Sequence, residues 1–464
     1  MKKFIDRHQE LRFLEKEYRR TGSSLVVLYG RRRVGKTALA AEFIKAKDAI
    51  YFLASEENET QNRIAFKNMI AEQTGNELLM SADIGSWDMI FKAWLDTASD
   101  EKKLMVIDEF QYLGKANGAF PSIFQRIWDT KLKDRDVMVI LCGSHISMME
   151  SQTLMYSSPL YGRRTGQIRL EQIPFRYYQE FFPAKNEREL IEYYAITGGV
   201  PKYIELFYDS GNLYDAIEDN VLSKQGFLYD EPNFLLGREV TEAGSYFSLI
   251  KTIAAGNRKL SRIAAALELK QTGLTKYLKT LINLGILERQ VPVTEAHPEK
   301  SKKGLYKIKD NFMAFWFQFV FPNRSYIESG HREPAMKKIR ANLIDSHVSY
   351  VYEDICLEKM WSLNAAGTWD FNFDKAGRWW DNNHEIDIVA FDSGGQDIIF
   401  GECKYWNKAV GTAVFDELEQ KSRNVDWKKS DRRDHYILFG SGGFSDDLKK
   451  LAKTRGDLTL MPDA

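Results

Sequence analysis

Three sets of side chains in this sequence have types and spacings suited to chemistry. The first is Gly30-Arg31-Arg32-Arg33-Val34-Gly35-Lys36-Thr37, which meets every fixed position of the pattern G-x-x-x-x-G-K-[ST]. Such a loop turns backbone N–H groups toward phosphate oxygens, and its lysine reaches the outer phosphates of a nucleoside triphosphate. The expected nucleotide-binding residues are Gly30, Arg31, Arg32, Arg33, Val34, Gly35, Lys36, Thr37 and Ala38, with the Thr37 hydroxyl as a ligand for Mg²⁺. The three arginines of the loop have no assigned role. The second set is Asp108-Glu109, after the apolar run 104–107. There Asp108 would hold the same Mg²⁺, and Glu109 would polarise the water that attacks the γ-phosphate. The third set is Asp387, Glu402 and Lys404. Two carboxylates and a lysine at one point suit metal-dependent phosphodiester hydrolysis, the carboxylates holding Mg²⁺ and the lysine stabilising developing charge. A plain salt-bridged strand pair has the same spacing.

The elements around these residues support the first two sets. The β-branched run 25–29 predicts a buried strand before the loop, and 38–44 predicts a helix after it. Further strands are predicted at 50–53, 104–108, 137–142 and 167–170, all apolar enough for a buried parallel sheet. Ser144, just past the 137–142 strand, would face the γ-phosphate, because ligands sit at the carboxyl ends of such strands. Arg163 and Arg164 would act on a nucleotide, in cis or across a subunit boundary, or form structural salt bridges. At the N-terminus, apolar residues at helical spacing predict a helix, with Arg7 either packing or touching nucleotide.

For the third set, 384–391 alternates as a strand, Gly394-Gly395 marks a hairpin turn, and 397–404 returns. With Ser393 to Gln396 as the loop, Asp387 falls opposite Glu402. Glu402 and Lys404 are two residues apart and share a face. Glu353, on a preceding helical stretch, is a further candidate metal ligand.

Between these regions, three amphipathic helices (near 249–254, 260–267 and 273–282) and two extended runs (286–293 and 304–308) predict a winged helix-turn-helix. From Ser245 to Asp310 there are thirteen Lys or Arg against five Asp or Glu, an excess of eight positive charges. That excess predicts contact with DNA. Gln271, Thr272, Thr275 and Lys276 would lie near bases, and Lys300, Lys302 and Lys303 near phosphates. A winged helix used only for packing is the alternative.

Composition sets the outer limits. The 464 residues imply several domains, and 44% hydrophobic content supports packed cores. Lys+Arg and Asp+Glu are both 65, so any polyanion surface must be local. The three cysteines, Cys142, Cys356 and Cys403, have no disulfide or zinc spacing. Basic residues at the N-terminus precede no apolar core, so no signal peptide is expected and the expected location is cytoplasmic. No stretch is long and apolar enough to predict a membrane span.

The phosphate loop YGRRRVGKT, the strand VIDEFQYL, the Gly143-Ser144 strand end, the stretch SPLYGRRTG and the run Thr197-Gly198-Gly199-Val200-Pro201-Lys202-Tyr203 resemble the archaeal-type ATPases, relatives of the AAA+ and STAND NTPases. That resemblance implies ATP as the nucleotide and a helical lid over the parallel sheet. The stretch from Arg378-Trp379-Trp380 through EIDIVA to GECKYW resembles the C-terminal domain of unknown function that accompanies these ATPases, which is similar to the PD-(D/E)xK nuclease superfamily. It implies that Asp387, Glu402 and Lys404 occupy the D, E and K, that Glu353 is the helical glutamate, and that Gln420 lies on the helix after the motif strands.

The expected architecture is therefore α/β and multidomain. It comprises a P-loop NTPase core (1–170), a helical lid (171–242), a winged helix (243–310), a connector (311–338) and a restriction-endonuclease-like α/β domain (339–464). The leading functional expectation is an ATPase whose nucleotide state controls DNA binding and metal-dependent cleavage. The other is a non-cleaving signalling protein in which ATP sets the state of a homo-oligomer and the C-terminal domain only binds. ATP and Mg²⁺ are the expected cofactors, and no membrane partner is expected.

Overall fold

The protein was analysed as a computed structural model that describes residues 4–81, 85–97, 101–208 and 210–462. The chain forms two compact units. The first runs to Ile173 and adds Gly199–Lys202 and Gly237–Thr241; the second takes Pro174–Gly198, Tyr203–Leu236 and everything from Glu242. The segment 171–242 is thus divided between the units.

The first unit is built on five parallel strands: β1 (Ser24–Tyr29), β2 (Ala49–Leu53), β3 (Lys103–Asp108), β4 (Val137–Gly143) and β5 (Gly166–Arg169), in the order β2-β3-β4-β1-β5. β1 and β4 are buried along their whole length, which is why they read as continuous apolar runs with no alternation. The helix Lys36–Ile44 follows β1 directly and packs Leu39, Ala40 and Phe43 into a core with Val26, Leu28 and Ile140. Sheet register sets β3 beside β4, so the carboxyl ends of β1, β3 and β4 lie side by side. That edge receives the ligand in open parallel sheets.

Glycine is required at the loop entrance. Gly30 has φ 153°, and a Cβ there would lie 2.3 Å from the Leu170 carbonyl oxygen. Gly35 has φ 99° and opens the helix. Further along, Gly199 accepts a hydrogen bond from Ile173 N at 2.8 Å. A Cβ on Gly199 would meet the Ile173 carbonyl oxygen at 1.8 Å.

In the second unit, helices Ala243–Ala254, Leu260–Ala266 and Gln271–Asn283 precede an antiparallel pair, β6 (Leu287–Gln290) and β7 (Leu305–Ile308), and Lys259 bridges to Leu305. Leu274, Leu278 and Leu281 are the buried stripe of the third helix. Gln271, Thr272, Thr275, Lys276 and Lys279 are exposed, as are Lys300, Lys302 and Lys303. The segment after β7 is helical and aromatic. Trp316 is buried and donates its indole N–H to the Tyr229 carbonyl at 2.8 Å.

The C-terminal sheet has five strands: β8 (Lys375–Trp380), β9 (Glu385–Phe391), β10 (Asp397–Lys404), β11 (Arg433–Gly440) and β12 (Leu458–Met461), in the order β12-β11-β10-β9-β8. β8, β9 and β10 are antiparallel neighbours, whereas β10, β11 and β12 run parallel. Ile388 pairs with Gly401, so Asp387 and Glu402 are the next facing positions. Helix Ser349–Ala365 packs on this sheet and carries Glu353. Cys142, Cys356 and Cys403 are buried free thiols, and no helix among the described residues is long and apolar enough to cross a membrane.

The Gly199 contact is backbone against backbone, so it has no flexible atom to yield. Gly199→Ala is expected to destabilise the first unit by about 3 kcal/mol. Denaturant unfolding of the variant, followed by tryptophan fluorescence, measures it, and an unchanged midpoint would remove this contact from the account.

Candidate functional site

The phosphate loop is held from below. Arg7, itself at φ 69°, donates to the Val34 carbonyl at 3.1 Å and to the Glu171 carbonyl at 2.6 Å. It therefore braces the loop backbone. Lys36 is buried, and its ammonium donates to the carbonyls of Gly30 at 2.8 Å and Arg31 at 2.9 Å. Burial pulls its pKa below the usual lysine value, while the carboxylates of Glu109, Asp108 and Glu239 work in the opposite direction. Lys36 is thus folded back into the loop, and a phosphate would offer it a better partner than two carbonyls.

Asp108 is the hub of the strand ends. Its carboxylate accepts from the Thr37 hydroxyl at 3.0 Å, from the Tyr51 hydroxyl, and from the Glu109 backbone N–H at 2.9 Å. A hydroxyl and a carboxylate already in contact are the donor pair that an octahedral cation takes alongside phosphate oxygens and water, so Thr37 and Asp108 fit Mg²⁺. Glu109 sits at φ 53°, in the left-handed region, which turns its side chain toward β4. Its carboxylate accepts from the Ser144 hydroxyl at 2.8 and 3.0 Å, from Ser144 N at 3.2 Å, and from the Gln111 amide. Ser144 and Gln111 thereby orient Glu109. The sequence reading had Ser144 facing phosphate; here its hydroxyl is bonded to the carboxylate instead.

Several residues join this site without a sequence signal strong enough to find them. Tyr51 comes from β2, and Gln111 from two residues past Glu109. Glu239 is buried beside the loop, its carboxylate 3.7 Å from His145 Nδ1. Burial pushes its pKa up to about 7, against the pull of Arg32, Lys36 and Arg31. This gives the arginine triplet a physical setting, since two of its members lie in the field of a buried acid. Arg32 also donates to the Tyr112 hydroxyl at 2.8 Å. Arg163 is not aimed at the loop. It pairs with Asp129 at 3.1 Å and donates to the carbonyls of Pro159 and Tyr161. Arg164 lies over the Tyr161 ring. Asp129 is the acidic partner that the fold gives Arg163.

In the second unit, β9 and β10 bring Asp387, Glu402 and Lys404 together. Lys404 Nζ is 2.6 Å from Glu402 Oε1, and Asp387 Oδ2 accepts from Cys403 N at 2.9 Å. Burial raises the pKa of both Asp387 and Glu402, and the Asp387 charge raises Glu402 further. Glu402 Oε2 is buried without a hydrogen-bond partner. A half-buried and a buried carboxylate with one open oxygen fit a Mg²⁺ ion that would complete its shell with substrate and water.

One expectation for this region needs correction. Among the described residues no three His, Cys, Asp or Glu side chains stand close enough to hold a metal. Glu353 is held by Arg378, which also pairs with Asp354 at 3.4 Å and Glu385 at 3.7 Å. Glu353 therefore does not join Asp387 and Glu402 as a third metal ligand. Burial and the Asp387 charge still raise its pKa to about 8. On the helix Thr412–Ser422, the residue that reaches the site is Lys421, 3.6 Å from Glu402; Gln420 is exposed. Helical phase places the neighbour of Gln420 on the buried side.

Comparison with known proteins places these sites in context. Residues 4–207 match a family described as an ATPase domain predominantly from Archaea, and residues 316–422 match one described as archaeal and bacterial proteins of unknown function. The chain is 36% identical over 461 residues to the uncharacterized protein MJECL04 of Methanocaldococcus jannaschii, covering 98% of each. It is also 48% identical over 44 residues to an uncharacterized ATP-binding protein, MJ0423, of the same organism, covering 10% of this chain and 75% of that one. Among solved structures, the Walker-type ATPase PABY2304 of Pyrococcus abyssi is similar in fold. The TM-score is 0.52 at 20% identity, covering 68% of this chain and 96% of that one.

Glu239 generates a prediction. Its folded-state pKa lies above the ordinary carboxyl value, so between about pH 4.5 and 7 the folded protein binds the extra proton. The stability this contributes is complete below that window and lost as pH rises through it. Glu239→Gln is expected to flatten that slope and to stabilise the protein at pH 8 by on the order of 2 kcal/mol. Urea unfolding at pH 5 and pH 8 tests it. Equal loss of stability with pH in both proteins would clear Glu239 of the role.

Proposed function

The chain belongs to the family of the Methanocaldococcus jannaschii protein MJECL04 and is an ATPase, and from that premise we propose that its ATP cycle controls DNA binding and metal-dependent phosphodiester cleavage by the C-terminal part. The observation that carries this reading is the convergence of Asp387, Glu402 and Lys404 at the β9–β10 edge, in a chain whose phosphate loop has Thr37, Asp108 and Glu109 in register for hydrolysis.

In the ATPase half, Lys36 exchanges the Gly30 and Arg31 carbonyls for the outer phosphates. Thr37 and Asp108 would hold Mg²⁺, which would offset negative charge on the phosphates of bound ATP. Glu109, aimed by Ser144 and Gln111, accepts a proton from the attacking water. Tyr51 fixes Asp108 by donating to it.

In the C-terminal half, Asp387 and Glu402 would hold a divalent cation that activates water, and Lys404 would stabilise charge on the scissile phosphate. Lys421 adds a second cation on the same carboxylate. The three helices and two-stranded hairpin of 243–310 are read as a winged helix. Its exposed Gln271, Thr272, Thr275 and Lys276 face bases, and Lys300, Lys302 and Lys303 face phosphates.

A second reading is favoured by one observation. Every acid of the C-terminal site already has a partner in the protein: Lys404 for Glu402, Arg378 for Glu353 and the Cys403 N–H for Asp387. On that reading the domain binds without cutting, and ATP sets the assembly of a homo-oligomer.

Lys36→Ala is expected to abolish Mg²⁺-dependent phosphate release from ATP, and Glu109→Gln to slow it by about a hundredfold. Unaltered turnover in both would remove this site from catalysis. Asp387→Ala and Lys404→Ala are each expected to abolish Mg²⁺- or Mn²⁺-dependent cutting of DNA while leaving ATP turnover intact. A native protein that cuts neither single- nor double-stranded DNA nor RNA, with or without ATP, decides for the non-cleaving reading.

A further inference from the structure

A cavity of about 290 Å³ lies within the second unit, between the 243–310 segment and the C-terminal sheet. Arg258, Lys307 and Arg378 line it together with Ser346, His347 and Tyr350, and no carboxylate does so among the described residues. His347 adds no charge. Its Nε2 donates to the Ala195 carbonyl at 2.6 Å, and burial lowers its pKa to about 4. Three cations therefore face one small space. Two of them are tethered from outside it: Lys307 reaches Asp354 at 2.7 Å, and Arg378 reaches Asp354 at 3.4 Å, Glu385 at 3.7 Å and Glu353. Among the described residues no carboxylate is bonded to Arg258. One of its terminal nitrogens donates to Gln290 Oε1 at 3.1 Å, and its Nε is buried without a hydrogen-bond partner.

Such an arrangement is costly when empty. Like charges in a partly dehydrated space repel, and a buried donor without an acceptor loses its water. Burial and the nearby Arg378 push the Arg258 pKa down, while Glu385, Tyr350 and Glu288 work the other way. Two guanidinium forks and an ammonium match a tetrahedral oxyanion of double charge better than a single carboxylate.

We propose that this cavity is a binding site for a phosphate dianion, free or as the monoester end of a nucleic-acid strand, held by Arg258, Lys307 and Arg378. The site is separate from the phosphate loop and does not depend on cleavage by the C-terminal domain. Arg378 also grips Glu353, so an anion in the cavity competes with that carboxylate for the same guanidinium.

The test uses the full chain carrying Lys36→Ala, which takes the phosphate loop out of the measurement. Calorimetric titration with inorganic phosphate is expected to show one site, weakened tenfold or more by Arg258→Gln and by Lys307→Gln. Lys307 lies partly exposed on β7, so its variant keeps the test open should Arg258→Gln fail to fold. A short DNA strand with a 5′-phosphate is then compared with its 5′-hydroxyl counterpart. A preference for the phosphorylated strand that both variants lose assigns the site to a strand end, and equal binding of the two strands assigns it to free phosphate. If neither form of phosphate binds, or if both variants bind as the parent does, the proposal is overturned.

Discussion

A charge taken out of water must be met by an opposite charge or by aligned dipoles, or it gives up its proton or its burial. Both sites of this protein are arranged around that constraint. Lys36 is buried and turns back on two carbonyls of its own loop. Glu109 is caught between Ser144 and Gln111. Glu353 leans on Arg378, and Glu402 on Lys404. In each case the side chain is held by an internal partner. The internal partners keep the groups in place. Glu239, whose burial is only partly offset by Arg31, Arg32 and Lys36, is the extreme case.

How much of this could be read from sequence depended on how far apart the partners lie in the chain. The phosphate loop is contiguous, and its strand and helix follow it directly, so its position and dihedral demands were legible. The β9–β10 pairing was legible for a related reason. A short hairpin fixes register, and register alone sets Asp387 opposite Glu402. Asp108 and Glu109 were legible because an apolar strand ending in acids, a weak signal alone, lies downstream of a full phosphate loop. What escaped was every partner brought in by tertiary packing. Tyr51 is 57 residues from Asp108, and Glu239 lies far beyond the loop it faces. Arg378 was visible only as part of a resemblance, with nothing to say that it would hold Glu353. The expectation for Glu353 failed for that reason, since the competing cation arrives from another element.

Gln420 and Lys421 make the same point at shorter range. The helix was expected, but the residue facing the site is set by helical phase, which a shift of one residue changes by about 100°. Arg163 pairs with Asp129, 34 residues away, a partner that the sequence does not single out.

The helix Glu187–Thr197 is tied to the C-terminal site of its own unit. Its Arg188 stacks on the Tyr405 ring and donates to the Trp406 carbonyl, and the Tyr405 hydroxyl donates to Glu192. Tyr405 and Trp406 directly follow Lys404, so the helix is fastened at the end of the strand that carries Glu402. At its other end, Gly198 takes φ 55°, and the chain passes into Gly199–Lys202, which belongs to the first unit. An 11-residue helix with a reciprocal cap at Asn186 does not bend easily. Its ties to Tyr405 and Trp406 therefore hold a stiff element against the end of β10.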